Sequence, residues 1–198
     1  MYKGESMMKK RLILAAVLGI GILGACTNQE TGKEVNNEKP KVEQVKKEAE
    51  KEKLKEQAQK ESKYATEVTN ILLNSYKTDI AISQKFEEVA KNPLLMLDDD
   101  WKQSLRDAYE PLSEDYEQLK NMEVPERFKT AHEKLLQGFE YTLQSKDKMF
   151  EGIDTMNPDL LREGFELIKK SNASLEEAKN EMESLAEENL RQDRKSVV

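Results

Sequence analysis

From Lys63 onward, apolar side chains recur at intervals of three and four, the spacing that returns them to one face of a helix. In the first such stretch Val68, Ile71, Leu72, Ile82, Phe86 and Val89 form the stripe, flanked by Tyr64 and Tyr76. In the second, Trp101, Leu105, Ala108, Leu112, Leu119 and Met122 continue it, with a gap at Asp115 where Tyr116 stands alongside. Phe128, Leu135, Leu136, Phe139, Leu143, Met149, Phe150 and Ile153 make the third, and Leu161, Phe165, Ile168, Leu175, Ala178, Met182 and Leu185 the fourth. Asn92-Pro93, Val124-Pro125 and Asn157-Pro158 punctuate the stretches, each proline suited to a first helical turn or to the loop before one. Asn157 is a natural N-cap. Pro111 falls inside the second stripe and predicts a kink or restart near Glu110. The expected fold is all-α: an antiparallel bundle of about four helices over 63–191, with 192–198 fraying.

The stretch from Thr27 to Ser62 is different in kind. Lysine and glutamate dominate it, large apolar residues are nearly absent, and Gly32, Asn36, Asn37 and Pro40 lie near its start. Such a composition cannot bury enough surface to offset chain entropy, so 26–62 reads as a charged stalk, disordered or helical. After Pro40, Val42, Val45, Ala49, Leu54 and Ala58 form a weak stripe, and Glu43 with Lys47 and Glu56 with Lys60 stand one turn apart. The stripe barely supports a coiled coil. About 35 residues would reach roughly 50 Å as a helix or roughly 115 Å extended.

Residues 1–25 have a third character. Lys9, Lys10 and Arg11 precede an uncharged apolar run from Leu12 to Leu23, too short for the roughly 20 residues of a membrane span. These are the charged and apolar parts of a signal peptide. Leu23 fits an ordinary secretory cleavage site badly, but Leu23-Gly24-Ala25-Cys26 reads as a lipobox. Residues 7–26 resemble the type II signal peptide of bacterial lipoproteins. That resemblance implies a diacylglyceryl group on the Cys26 sulfur and cleavage before it. Two acyl chains hold a protein stably on a bilayer where one does so only marginally. Lys3-Gly4-Glu5 can be encoded by a run resembling a ribosome-binding site, so translation is expected to begin at Met7 or Met8 rather than Met1.

Charge narrows the partners. Removing the leader takes Lys3, Lys9, Lys10 and Arg11 away against Glu5, moving the net charge from −7 to about −10. An acidic surface repels nucleic acid phosphates, and no basic patch in the sequence overrides it. Cys26 is the one cysteine, so an intramolecular disulfide is excluded. His132, the one histidine, lies a turn beyond Phe128 and reads as a partly buried residue satisfied locally rather than as a ligand or general base. Asp98-Asp99-Asp100 lacks the glycine and spacing of an EF-hand loop and reads as the capped start of a helix. Trp101, Tyr109, Tyr116 and Tyr141 read as core rather than as the lining of a pocket.

With no phosphate-cradling loop and no nucleophile motif, no enzyme, cofactor or metal centre is expected. The leading expectation is a lipoprotein on the extracytoplasmic face of the cell membrane, presenting its bundle to a protein or envelope partner. A small-molecule or metal-binding lipoprotein, and a phage- or plasmid-encoded exclusion lipoprotein, are the alternatives. The lysine- and asparagine-rich stalk and the leader's style point to a Gram-positive, low-GC host.

Overall fold

The computed structural model describes residues 41–196; the leader with Leu23, Gly24, Ala25 and Cys26, and the stalk up to residue 40, lie outside the described residues. Four helices make the fold, with no strand among the described residues: α1 (Lys41–Lys91), α2 (Asp99–Lys120), α3 (Lys129–Asp154) and α4 (Pro158–Ser196). Short 3-10 turns at Pro93–Leu97 and Glu126–Phe128 lie in the first two connections. Contacts between neighbours run in opposite directions along each pair. Trp101 meets Glu88 across α1 and α2. Arg106 pairs with Asp154 and Tyr116 with Glu140 across α2 and α3. Ser145 meets Gly164 and Ser174 meets Gln137 across α3 and α4. The chain is therefore an antiparallel up-down bundle.

α1 is one helix of 51 residues but has two physical regimes. Every side chain from 48 to 60 is exposed, and burial begins at Glu61 and Tyr64. Leu54, on the weak stripe of this extension, is 63% exposed. Glu56 and Lys60 make the expected ion pair at 2.9 Å. Beyond Tyr64, Val68, Leu72, Leu105, Leu112, Leu119, Leu135 and Phe139 are fully enclosed. Burying each such side chain is worth about 1.5–3 kcal/mol, which stabilises the helix far more than its propensity does.

Three expectations change. α2 does not restart at Pro111 but runs through it as one element. Pro111 and Asp107, whose carbonyl loses its helical partner, are both exposed, so water can take up the freed group. α4 continues to Ser196, into the segment expected to fray. The gap in the α2 stripe is no gap in packing either: Asp115 stays on the buried face. Helix geometry carries a residue to the seam whatever its polarity.

α3 and α4 form the tightest pair, and glycines allow it. A Cβ on Gly138 would lie 2.8 Å from Leu175 Cγ and Cδ2, one on Gly164 2.8 Å from Met149 Cγ, and one on Gly152 2.9 Å from Leu161 Cδ2. Between them the polar contacts are short. Thr142 and Ser171 hydroxyls lie 2.9 Å apart, Ser171 donates to the Gly138 carbonyl at 2.7 Å, and Ser145 to that of Gly164 at 2.9 Å. Each buried hydroxyl thus finds an acceptor, as burial without one would be unfavourable. α3 ends in a Schellman motif. Asn157 N–H bonds the Gly152 carbonyl and Met156 N–H that of Ile153, with Met156 at φ 53° in the position usually held by glycine. Asn157 then caps α4, its Oδ1 accepting from Asp159 N–H at 3.0 Å.

Candidate functional site in the buried polar seams

Two polar groupings interrupt the apolar core. The first lies at the end of the bundle where α1 enters. His132 on α3 is buried, and its Nδ1 lies 3.1 Å from the Tyr64 hydroxyl of α1. Burial holds the imidazole below its ordinary pKa, with a hydrogen bond to the Leu119 backbone and the charge of Glu133 opposing the shift. A neutral ring that donates to the Leu119 carbonyl and accepts from Tyr64 satisfies all three groups. The Tyr64 phenol is pushed up by burial, so its hydroxyl stays protonated and able to donate. The Tyr64 ring lies tilted against Phe128, 5.0 Å between centroids, and against the imidazole, at 5.7 Å.

Beside it, Arg127 binds the Glu61 carboxylate of α1 at 3.3 Å and the Leu185 carbonyl of α4 at 3.1 Å. Arg127 stands in the turn that joins α2 to α3, so one guanidinium ties three parts of the bundle. Its planar fork suits two acceptors in different directions. Gln57 reaches the other Glu61 oxygen at 2.9 Å. His132 and Arg127 together form a polar clasp between the helices.

The second grouping lies in the α1–α2 seam. Asp79 and Asp115 are 2% and 3% exposed, beside the buried Ser75 and Thr78. Counting helical rise from the Trp101–Glu88 contact puts Asp115 level with Asn74 and Asp79 level with Glu110, the two carboxylates about 7.5 Å apart along the axis. Both acids are engaged in polar interactions within the fold. Among the described residues no three histidine, cysteine, aspartate or glutamate side chains converge as a metal site would require.

The other residues singled out in the sequence take the bland role. Asp98 caps α2, its Oδ1 accepting from Trp101 N–H at 2.8 Å. Asp99 pairs with Lys102 at 3.2 Å, and Asp100 is exposed. Trp101 and Tyr109 are core, the indole N–H donating to Glu88 at 3.1 Å and the Tyr109 hydroxyl to Met149 Sδ. Tyr116 is only partly buried; it donates to Glu140, whose carboxylate pushes the phenol up to about 12. Lys170 lies over the ring of Tyr141. The four aromatic residues are thus spread over α2 and α3 and enclose no common space.

Asp79, Asp115, Glu61 and Arg127 were not marked by the sequence. The signal for Asp115 was its register within an apolar stripe; for Arg127 there was none. The surface carries shallow grooves, among them one of about 640 Å³ along α4 between Asp159 and Lys170 and one of about 410 Å³ along α1 between Gln59 and Glu67. Each is lined by a single helix and opens to solvent. No helix among the described residues is long and apolar enough to cross a membrane. No protein-family model matches the chain, nor does any curated protein or solved structure.

Proposed function

We propose that the chain is a lipoprotein anchored through Cys26 to the extracytoplasmic face of the cell membrane, where it acts without catalysis by presenting a helical bundle to a protein or envelope partner. The observation that carries this reading is the run from Lys9 to Cys26, a charged flank, a dozen apolar residues and a lipobox in the required order. The fold is compatible with it. The exposed part of α1, residues 48–60, extends N-terminal to the bundle as a rod of about 20 Å, on the side of the chain that leads back to Cys26. The buried chemistry, used up in the clasp and the α1–α2 seam, leaves the outer surface as the part able to meet a partner.

Labelling with palmitate in the host tests the anchor. Wild-type protein should take up label and sediment with membranes, whereas Cys26→Ala should remain as unlabelled precursor. Unlabelled wild-type protein shed into the medium would refute it. One observation favours a second reading, a bundle that binds a metal ion: Asp79 and Asp115 are inward carboxylates. The four oxygens of two carboxylates fall short of the six to eight that calcium takes. A rise in melting temperature with millimolar Ca²⁺, Mg²⁺ or Mn²⁺ that vanishes in Asp79→Asn would carry that reading.

A further inference from the structure

The two ends of the bundle are finished differently. At the end where α1 enters, the connection between α2 and α3 tucks its apolar residues inward: Met122 and Val124 are partly buried against the core and Phe128 is buried. At the opposite end the apolar residues face out. Of the five large hydrophobic side chains that stand exposed among the described residues, three lie in the two turns there: Leu94 at 71%, Leu97 at 60% and Met156 at 58%. Elementary solubility argues for polar residues at such places.

The backbone of these turns is hydrogen-bonded. Asn92 N–H bonds Glu88, Leu95 N–H bonds Asn92 and Asp98 N–H bonds Leu95, all to backbone carbonyls, while Leu95 and Met96 pack on the core as Leu94 and Leu97 point away. Met156 is doubly unfavourable, apolar and exposed at a left-handed φ that glycine would occupy without strain. An unfavourable conformation retained on a surface is a reason to look for a role. The pairing of Arg106 with Asp154 fixes the relative height of the turns: the α1–α2 hairpin rises about 10 Å above the α3–α4 turn. The end is a step with leucines on its crest and Met156 at its foot.

Charge decides what can cover it. Asp98, Asp99 and Asp100 follow Leu97 directly. Of the cations nearby, Lys102 pairs with Asp99, Arg106 with Asp154 and Arg162, near the foot, with Asp159, while Lys91, exposed in the last turn of α1, is outnumbered by Glu87, Glu88 and the three aspartates of the same hairpin. The crest is therefore apolar with an acidic border. An anionic bilayer is repelled by that border, and a second copy of the chain would bring like charge against it.

We propose that the Pro93–Leu97 turn is the docking crest of this protein, and that its occupant is a protein with an apolar recess bordered by lysine or arginine. Leu94 and Leu97 fill the recess, and Asp99 and Asp100 meet the basic border, which steers the encounter. The proposal rests on the membrane-anchor reading, because the crest lies at the end of the bundle opposite the one where α1, the anchor side of the chain, enters.

The test places a photoreactive benzoylphenylalanine at Leu94 or Leu97 in the full chain, in its host, with the same residue at exposed Leu54 as the reference position. Adducts are identified by mass spectrometry down to the linked peptide. The expected result is an adduct with one protein, from Leu97 and not from Leu54, whose linked segment is apolar and flanked by lysine or arginine. Its yield should fall about ten-fold in Leu94→Ser/Leu97→Ser, with the melting temperature unchanged because both side chains are exposed. Asp99→Asn/Asp100→Asn should lower it several-fold. Lysine-to-glutamate replacement in the identified partner should abolish the adduct, and Asp100→Lys should restore it. An adduct with a second copy, with lipid, equally from Leu54, insensitive to the charge changes, or no adduct at all overturns the proposal. Palmitate labelling of the same cells reports the anchor separately: labelled protein without an adduct refutes the crest alone.

Discussion

Gly138→Ala sets two effects of similar size against each other, and the structure says which wins. Alanine in a helix interior is favoured over glycine by about 1 kcal/mol. At residue 138, however, the added methyl would sit 2.8 Å from both Cγ and Cδ2 of Leu175, and 3.4 Å from the Ser171 carbonyl oxygen. Leu175 is itself buried, so it has little room to swing aside. Relief requires an off-rotamer leucine or a small separation of α3 from α4, and overpacking of this kind costs about 1–3 kcal/mol. A separation would also stretch the bond from Ser171 to the Gly138 carbonyl, at 2.7 Å, and the Thr142–Ser171 hydroxyl contact, at 2.9 Å. The net expectation is a loss of about 1 kcal/mol, roughly 3–6 °C in melting temperature for a domain of this size. Urea unfolding of the chain from Thr27, read by far-UV circular dichroism, measures it. A double-mutant cycle with Leu175→Ala isolates the clash. Leu175→Ala alone should cost about 2–5 kcal/mol through the cavity it leaves, while the double variant should cost clearly less than the two singles added, because the new methyl occupies vacated space. If Gly138→Ala proves more stable than wild type, or the two changes simply add, the close approach of α3 and α4 is not what glycine is there to permit.

Three further outcomes follow from particular contacts. His132 is held below its ordinary value of 6.5 by burial, so as the pH falls through that value the unfolded chain takes up a proton that the folded one refuses; stability due to this residue is complete above it and declines below, until the folded ring itself protonates. Unfolding free energies at pH 7.5 and 5.5 should therefore differ by more in wild type than in His132→Gln, and an equal difference would refute this. Met156→Gly removes an exposed side chain from a left-handed position and should raise stability by about 1 kcal/mol in the same urea titration; a decrease would mean that Met156 makes contacts worth more than its strain. Arg127→Ala should lower stability by about 2–3 kcal/mol, since Glu61 and the Leu185 carbonyl lose a charged donor away from bulk water, with amide exchange rising first around 61–65 and 182–186; Arg127→Lys should recover part of the loss, and uniform exchange across the bundle would contradict the local tie.

Periodicity made the four helices and their inward faces legible. Leu105, Leu112, Leu119, Leu135 and Phe139 stand in the core where their spacing placed them, because solvent sorts side chains by polarity and a helix repeats every 3.6 residues. The prolines and Asn157 marked the connections for an equally local reason, since φ restriction and capping act within one turn. The roles of Asp98 and His132 were readable too, the first from its place before the helix and the second from its isolation among apolar neighbours.

What depends on a neighbouring helix was not readable. Gly138 and Gly164 look like ordinary weak points until Leu175 and Met149 close on them, and Ser171 breaks the α4 stripe until Thr142 and the Gly138 carbonyl meet it. Asp115 reads as a defect in a stripe, yet tertiary packing encloses it. Arg127 gains its role only when α1 and α4 bring Glu61 and the Leu185 carbonyl within reach of the same guanidinium. The chain by itself determined which residues leave water, because that depends on each side chain and its position in the helical repeat. Which polar groups may leave with them, and which turns remain uncovered at the far end, only the packed helices decided, because partners supplied from distant sequence determine whether burial is favourable.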